Sequence, residues 1–121
     1  MFCTFQTSTL IPVGTIVKKS GASVVANDNA VNSILAGVVV ESYTNEDNTA
    51  FYASVHVGGG YAEAKLVSDW DGTFSYLTIS ADGVEPTTDS NALHGYLIMP
   101  SVIPVPKVAG DLVPIYWRGA T

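Results

Sequence analysis

Residues 51–67 of the chain read FYASVHVGGGYAEAKLV, two alternating stretches joined by three glycines. In residues 51–57 every second residue is apolar, which indicates a strand with one buried face. Residues 62–66 alternate in the same way, with small or apolar residues between polar ones. Because glycines 58–60 supply a flexible turn between them, the sequence predicts that the two strands pair as a hairpin.

The same signals recur along the rest of the chain. β-Branched and aromatic residues concentrate in short segments that Gly, Asn, Asp and Pro separate, which is typical of an all-β protein. Two continuous apolar runs, residues 38–40 and 96–99, indicate strands that are covered on both faces. The predicted strands span residues 16–17, 23–26, 35–43, 51–57, 62–67, 73–79, 93–99 and 112–117.

An internal repeat relates the two halves of the chain. A shift of 58 residues aligns Gly14 with Gly72 and Gly37 with Gly95, and no gap is required. In each half one glycine begins the first strand and the other precedes the central strand. This placement favours two similar strand motifs that pack on one core.

These observations predict an all-β fold, a small β-sandwich or barrel-like structure. The two repeated motifs are expected over about residues 12–60 and 70–119. One domain, residues 12–121, is expected to follow an N-terminal arm of residues 1–11.

Composition excludes several classes of partner. Only 13% of the 121 residues are charged, against about 25% in a typical domain, and the polar remainder is Ser, Thr, Asn and Gly. This composition is typical of β-rich proteins that bury much of their surface against neighbours. The net charge is −6 with a single arginine, so a basic stripe for nucleic acid or for an anionic membrane is not expected.

Cysteine usage and the N-terminus bear on the compartment. Cys3 is the single cysteine, so neither an intramolecular disulfide nor a thiolate metal cluster is expected. Residues 1–12 lack the basic and continuously apolar regions of a signal peptide, and no apolar run reaches membrane-spanning length. We therefore expect the protein to be made, and to fold, in a cytosol.

Two uncharged apolar segments, residues 1–12 and 100–106, are open to two interpretations. They either cover the open ends of the core or dock on a neighbouring subunit, because exposed apolar surface usually marks an interface. The pair at residues 117 and 118 is equally open, as an interface anchor or as a tryptophan that caps the core. The candidate interface residues are Phe2, Phe5, Leu10, Ile11, Val102, Ile103, Val105, Trp117 and Arg118.

Candidate chemical groups are few, and no catalytic, cofactor or metal site is predicted. His56 is expected on the polar face of its strand and His94 at a strand end, with no nucleophile motif beside either. Asp69 and Asp71 flank Trp70, which indicates a plain turn or, alternatively, a glycan or calcium contact. The oxygen-rich residues 45–48 lack the spacing of a calcium loop and are expected at a solvated loop tip.

The order of short motifs resembles that of small tailed-phage head decoration (cement) proteins. The first half carries VGTIV (13–17), LAGVV (35–39) and VHVG (55–58), and the second half echoes it with DGTF (71–74), LHGYL (93–97) and AGDLVPI (109–115). Pro114 departs from the pattern, since it is expected to interrupt the last strand and puts the pairing of the second motif in doubt.

This resemblance implies a function without enzymatic activity. The protein would sit on the outer surface of a virion, assembled in the host cytoplasm, where it clamps adjacent major capsid subunits. It would do so as a homo-oligomer, most often a trimer. The alternative is a glycan-binding module of a tail fibre or adhesin, with Trp70, Tyr61 or Tyr76 as stacking platforms. A hydrolase that uses Asp69 and Asp71 ranks last.

Overall fold

The computed structural model describes residues 2–28, 34–73, 76–89, 95–97 and 107–117. These residues contain strands and turns and no helix, which confirms the predicted all-β fold. The strands are Phe2–Thr7 (β1), Ile16–Ser20 (β2), Ser23–Ala26 (β3), Leu35–Thr44 (β4), Phe51–His56 (β5), Gly60–Lys65 (β6), Tyr76–Ser80 (β7), Gly83–Thr87 (β8), Gly95–Leu97 (β9) and Leu112–Trp117 (β10).

The strands form two antiparallel sheets with the same topology. The first sheet has the order β1-β5-β4-β2-β3 and the second has the order β6-β10-β9-β7-β8. Each strand of the second sheet takes the place of the strand five positions before it, so the chain builds the same sheet twice. This agrees with the predicted repeat, but the two motifs span residues 2–56 and 60–117 rather than 12–60 and 70–119.

The predicted hairpin over residues 51–67 is wrong. β5 pairs with β1 and β4 in the first sheet, whereas β6 pairs with β10 in the second. The three glycines therefore carry the chain from one sheet to the other. The alternation correctly marked two half-buried strands, but it holds no information about which strand lies beside which.

The N-terminal residues belong to the fold rather than to an arm. Residues 2–7 form β1, which pairs along its whole length with β5 from Phe2–His56 to Thr7–Phe51. β1 is an edge strand in which exposed and half-buried residues alternate. Sequence reasoning missed both this strand and β8.

The pairing of residues makes the two sheets comparable position by position. Phe2 on β1 lies opposite His56 on β5, and Tyr61 on β6 lies opposite Tyr116 on β10. These two pairs correspond when Val38 on β4, which pairs with His56, is matched with Tyr96 on β9, which pairs with Tyr116, since each follows one of the aligned glycines 37 and 95. The register row of Phe2 and His56 thereby has a counterpart in the row of Tyr61 and Tyr116.

The counterparts are not all separated by the same number of residues. Ile16 on β2 pairs with Val38 on β4, and the corresponding pair in the second sheet is Tyr76 and Tyr96. The separation is 58 residues from Val38 to Tyr96 but 60 residues from Ile16 to Tyr76. The gap-free shift of 58 thus holds for the central strand and not for β2.

Each sheet curls until its edge strands meet. In the first sheet the hydroxyl of Ser23 on β3 donates to the carbonyl oxygen of Gln6 on β1 at 2.6 Å. In the second, the backbone N–H of Val67, just after β6, donates to the carbonyl oxygen of Val84 on β8 at 2.9 Å. The curl covers edges that would otherwise present unpaired backbone groups.

Two apolar cores result, and the sheets pack on each other as a small β-sandwich-like fold. The first core lies within the first sheet and the second joins both sheets, because Ile16 and Val38 of the first sheet pack among residues of the second. Val38 and its neighbour Val39 are both fully buried, in different cores, which confirms that β4 is covered on both faces. The first core contains Ile11, Val17, Val24, Val39, Ala53 and Val55; the second contains Ile16, Val38, Ala64, Leu66, Trp70, Leu77, Val84, Val113, Ile115 and Trp117.

Backbone hydrogen bonds fix the position of the first sheet against the second. Lys65 N–H donates to the carbonyl oxygen of Gly14 at 2.9 Å, and Ile16 N–H donates to that of Asp82 at 2.8 Å. The ammonium of Lys65 also contacts the carboxylate of Asp82 at 2.7 Å.

Pro114, expected to interrupt the last strand, lies inside β10 opposite Glu63.

Candidate functional site

His56 is not the surface histidine that its alternation predicts. Only 7% of it is exposed, and its ring lies between those of Phe2, at a centroid distance of 5.0 Å, and Trp117, at 6.4 Å. The second sheet reaches His56 through Trp117, whereas Tyr52 and Ser54 on the same side of β5 are half-buried. A residue on the polar side of a strand can therefore still be buried by tertiary packing.

The surroundings of His56 favour a neutral imidazole. Burial lowers the pKa of His56 below its usual value, and the positive charge of the N-terminus adds to the effect. Its Nδ1 makes no hydrogen bond with the described residues. His56 is thus a flat, uncharged packing group at the junction of the two sheets. His94 lies outside the described residues.

Residues 69–72 form the turn that the sequence predicts. The carboxylate of Asp71 accepts from the backbone N–H of Thr73 at 2.9 Å, and this hydrogen bond lowers the pKa of Asp71. Asp69 accepts from the N–H of Ala109 at 3.1 Å. Trp70 between them is 2% exposed, and its Nε1 donates to the carbonyl oxygen of Thr73 at 2.7 Å. The faces of the Trp70 ring are therefore closed to a sugar.

The oxygen-rich residues 45–48 form a loop tip, and Asn45 organises it. The side-chain oxygen of Asn45 accepts from the N–H groups of Thr49 and Ala50, at 2.8 and 3.0 Å. The Asn48 oxygen accepts from the hydroxyl of Thr44 at 2.9 Å. These oxygens bind their own loop, which agrees with the expected loop tip.

The described members of the predicted interface set have unequal exposure. Phe2 is 66% and Leu10 52% exposed, so both are accessible to a second molecule. Phe5 is half-buried against the first core, while Ile11 and Trp117 are enclosed in the two cores. Ile11 and Trp117 are inaccessible because each sheet closes over its own apolar side chains. The remaining predicted residues, Val102, Ile103, Val105 and Arg118, lie outside the described residues.

The second sheet carries four register-paired tyrosines, here named the tyrosine row, of which sequence reasoning named Tyr61 and Tyr76 as stacking platforms and missed Tyr96 and Tyr116. Its members are paired in register across four neighbouring strands: Tyr61 on β6, Tyr116 on β10, Tyr96 on β9 and Tyr76 on β7. Tyr61 is 73% and Tyr116 40% exposed, and their rings meet edge to face at 5.2 Å with an interplanar angle of 68°. The four are distant in sequence, so only strand pairing brings them together.

The corresponding row of the first sheet is largely covered. It consists of Phe2, His56, Val38 and Ile16, paired across β1, β5, β4 and β2. Val38 and Ile16 are fully buried in the core that joins the two sheets. At the shared position on β5 and β10, the motif thus has a buried residue in the first sheet, His56, and an exposed one in the second, Tyr116. An alignment of the two halves with insertions and deletions of one or two residues would have paired these rows from sequence.

A cleft of about 160 Å³ lies beside the N-terminal segment. It is lined by residues 7–12 and by β3, and by the ion pair of Lys65 and Asp82. The buried hydroxyl of Thr15 makes no hydrogen bond with the described residues. The volume is below that of most small-molecule sites, about 300 Å³ and above.

Among the described residues no group of three or more His, Cys, Asp or Glu side chains is arranged to hold a metal ion. Within the same part of the chain, no helical segment has the length and apolarity needed to cross a membrane. Comparison with protein families, with curated proteins and with solved structures finds no match.

Proposed function

We propose that this protein is a structural component of a phage particle that binds the outer surface of the capsid and holds neighbouring major capsid subunits together. The observation that carries the proposal is the exposure of Phe2 and Leu10 at the surface of a closed double sheet. β1 holds Phe2 in a hydrogen-bonded strand, so little conformational entropy is lost when a partner covers it.

Charge and composition support the same function. A net charge of −6 disfavours contact with packaged nucleic acid. A surface of small neutral groups suits a protein that is partly covered by neighbours. Many modest contacts of this kind hold a shell together by avidity, since each subunit bound raises the effective concentration of the next contact. A homo-oligomer, a trimer by the resemblance, would multiply the contacts further.

The test is attachment to capsids. Mass spectrometry of purified phage particles should detect the chain in a copy number that matches the capsid subunits. A Phe2→Ser, Leu10→Ser variant should occupy capsids at least about tenfold less, because each apolar side chain withheld from a contact costs about 1.5–3 kcal/mol. Tyr43→Ser, which alters a 41% exposed side chain elsewhere on the first sheet, is the matched control.

Two results would contradict the proposal. The first is absence of the chain from purified particles; the second is equal occupancy by the Phe2→Ser, Leu10→Ser variant and the wild type. Deletion of residues 1–12 is not a suitable test, because it removes β1 and would report on folding.

A glycan-binding module is the second candidate, and the exposure of Tyr61 is the observation that favours it. Trp70 is closed, so the stacking surface would depend on Tyr61 and Tyr76. A glycan array tests this directly, and Tyr61→Ala should abolish a positive signal. A signal that Tyr61→Ala leaves intact would remove Tyr61 from the site.

A further inference from the structure

The tyrosine row has a counterpart within the same chain whose residues on β5, β4 and β2 are buried. The corresponding row of the first sheet packs against the second sheet, with Ile16 and Val38 fully buried. In the second sheet, Tyr61 and Tyr116 of the row are exposed. Tyrosine combines an apolar ring with a polar hydroxyl, which suits a surface that is exposed to water in the free protein and buried in a complex.

Carboxylates flank the tyrosine row. Glu63 lies two residues beyond Tyr61 on β6, and Glu85 lies on β8 opposite Thr78. Glu63 lies in the register row on one side of the tyrosine row and Glu85 in the register row on the other side, one on each edge strand of the sheet. Lys65, further along β6, is held by Asp82 at 2.7 Å. Within the described strands of the second sheet, the charge that remains outside this ion pair is therefore negative.

We propose that the tyrosine row is a docking surface for a protein segment that carries arginine or lysine side chains. A cation over a tyrosine ring is attracted by the negative face of the ring, and Glu63 and Glu85 add charge complementarity at either end of the row. The inference goes beyond the proposed function, because it holds whether or not the partner belongs to a capsid.

Charge and ring geometry disfavour the other occupants. A second copy of the chain would bring another net charge of −6 and another pair of glutamates to the same face. A sugar chain that stacked on both rings at once would need them coplanar, whereas the rings of Tyr61 and Tyr116 are inclined at 68°. A cation needs only one ring face, because the face of the ring is negative and its edge positive.

The experiment is a titration of the purified protein with a blocked peptide of four Arg-Ser repeats. Binding is followed by the NMR signals of the tyrosine rings. The same peptide with citrulline in place of arginine keeps the shape and removes the charge. Two double variants test the surface, Tyr61→Ser with Tyr116→Ser and Glu63→Gln with Glu85→Gln. Their matched controls are Tyr43→Ser and the loop variant Glu46→Gln with Asp47→Asn.

The arginine peptide should shift the ring signals of the row, and the citrulline peptide should not. Each double variant should weaken binding at least about fivefold, since single exposed cation–π contacts contribute about two- to fivefold. The controls should stay within about twofold of wild type. Unchanged urea midpoints show that the variants are folded.

Any of four results would overturn the inference. The first is no binding of the arginine peptide by the folded protein, and the second is equal binding of the citrulline peptide. The third is equal weakening of binding in the control variants. The fourth is a dimer or a bound glycan that depends on Tyr61 and that the arginine peptide does not displace. Equal weakening in the controls would mean that net charge alone attracts the peptide.

Discussion

Gly14 and Gly72, which the 58-residue shift of the sequence aligns, share the same backbone conformation, with φ of +92° and +91°. Residues with a Cβ rarely adopt this conformation. Gly14 also lies against the second sheet, where an added Cβ would meet the side chain of Leu112 and the backbone of Lys65. The glycine is therefore needed both for its φ and for the approach of the two sheets.

Gly14→Ala should destabilise the protein more than Gly110→Ala. Gly110 has a similar φ of +96°, but an added Cβ there meets nothing within 4 Å. We expect Gly110→Ala to cost about 1 kcal/mol of the free energy of unfolding, from backbone strain alone. Gly14→Ala adds a steric cost and should lose at least about 2 kcal/mol. Urea unfolding of both variants measures the difference, and equal losses would rule out the steric contribution.

Ala81→Gly should stabilise the protein. Ala81 has a φ of +48° at the first position of the β7–β8 turn, where the matching β2–β3 turn has Gly21 with a φ of +60°. Replacing an alanine in this left-handed conformation by glycine removes about 1–2 kcal/mol of backbone strain. The greater conformational freedom of glycine in the unfolded chain offsets part of this, so the free energy of unfolding should rise by about 0.5–1 kcal/mol. Gly21→Ala, the reverse change, should lose a similar amount. A lower thermal midpoint for Ala81→Gly would contradict this.

Stability should fall in mild acid because of His56. Its pKa is lowered in the folded state by burial, so the unfolded chain takes up the proton first as the pH falls. The free energy of unfolding should therefore decrease once the pH drops below about 6.5, the usual histidine pKa, and level off below the folded pKa. His56→Gln should remove this component, whereas His94→Gln should retain it. The check is urea unfolding between neutral pH and about pH 5.

Trp70 should prove to be a core residue rather than a ligand platform. Trp70→Ala should cost about 3–5 kcal/mol of the free energy of unfolding, because the ring is 2% exposed. Trp70→Phe should cost less, since it retains an aromatic ring and loses mainly the hydrogen bond to the carbonyl oxygen of Thr73. Denaturant unfolding measures both. A fully stable Trp70→Ala variant would show that the ring is dispensable for packing.

Sequence reasoning located most of the strands but less of the candidate surface. The segments 23–26 and 112–117 were predicted with the bounds that the structure has. Phe2 and Leu10 were predicted as contact residues, and their exposure is compatible with that role. Of the tyrosine row, only Tyr61 and Tyr76 were named, as separate stacking platforms, because its members stand on four strands and no local pattern joins residues that only a sheet brings together.

By itself the sequence determined that the chain is all-β, that β4 is apolar on both faces, and that two halves repeat. These properties follow from local periodicity, since alternating or continuous apolar residues encode which faces of a strand avoid water. Only the tertiary structure decided that β5 and β6 belong to different sheets and that His56 is buried while Tyr61 is exposed. The physical reason is that pairing and face-to-face packing depend on contacts between distant segments, so two strands of similar pattern can have one row covered and the other open.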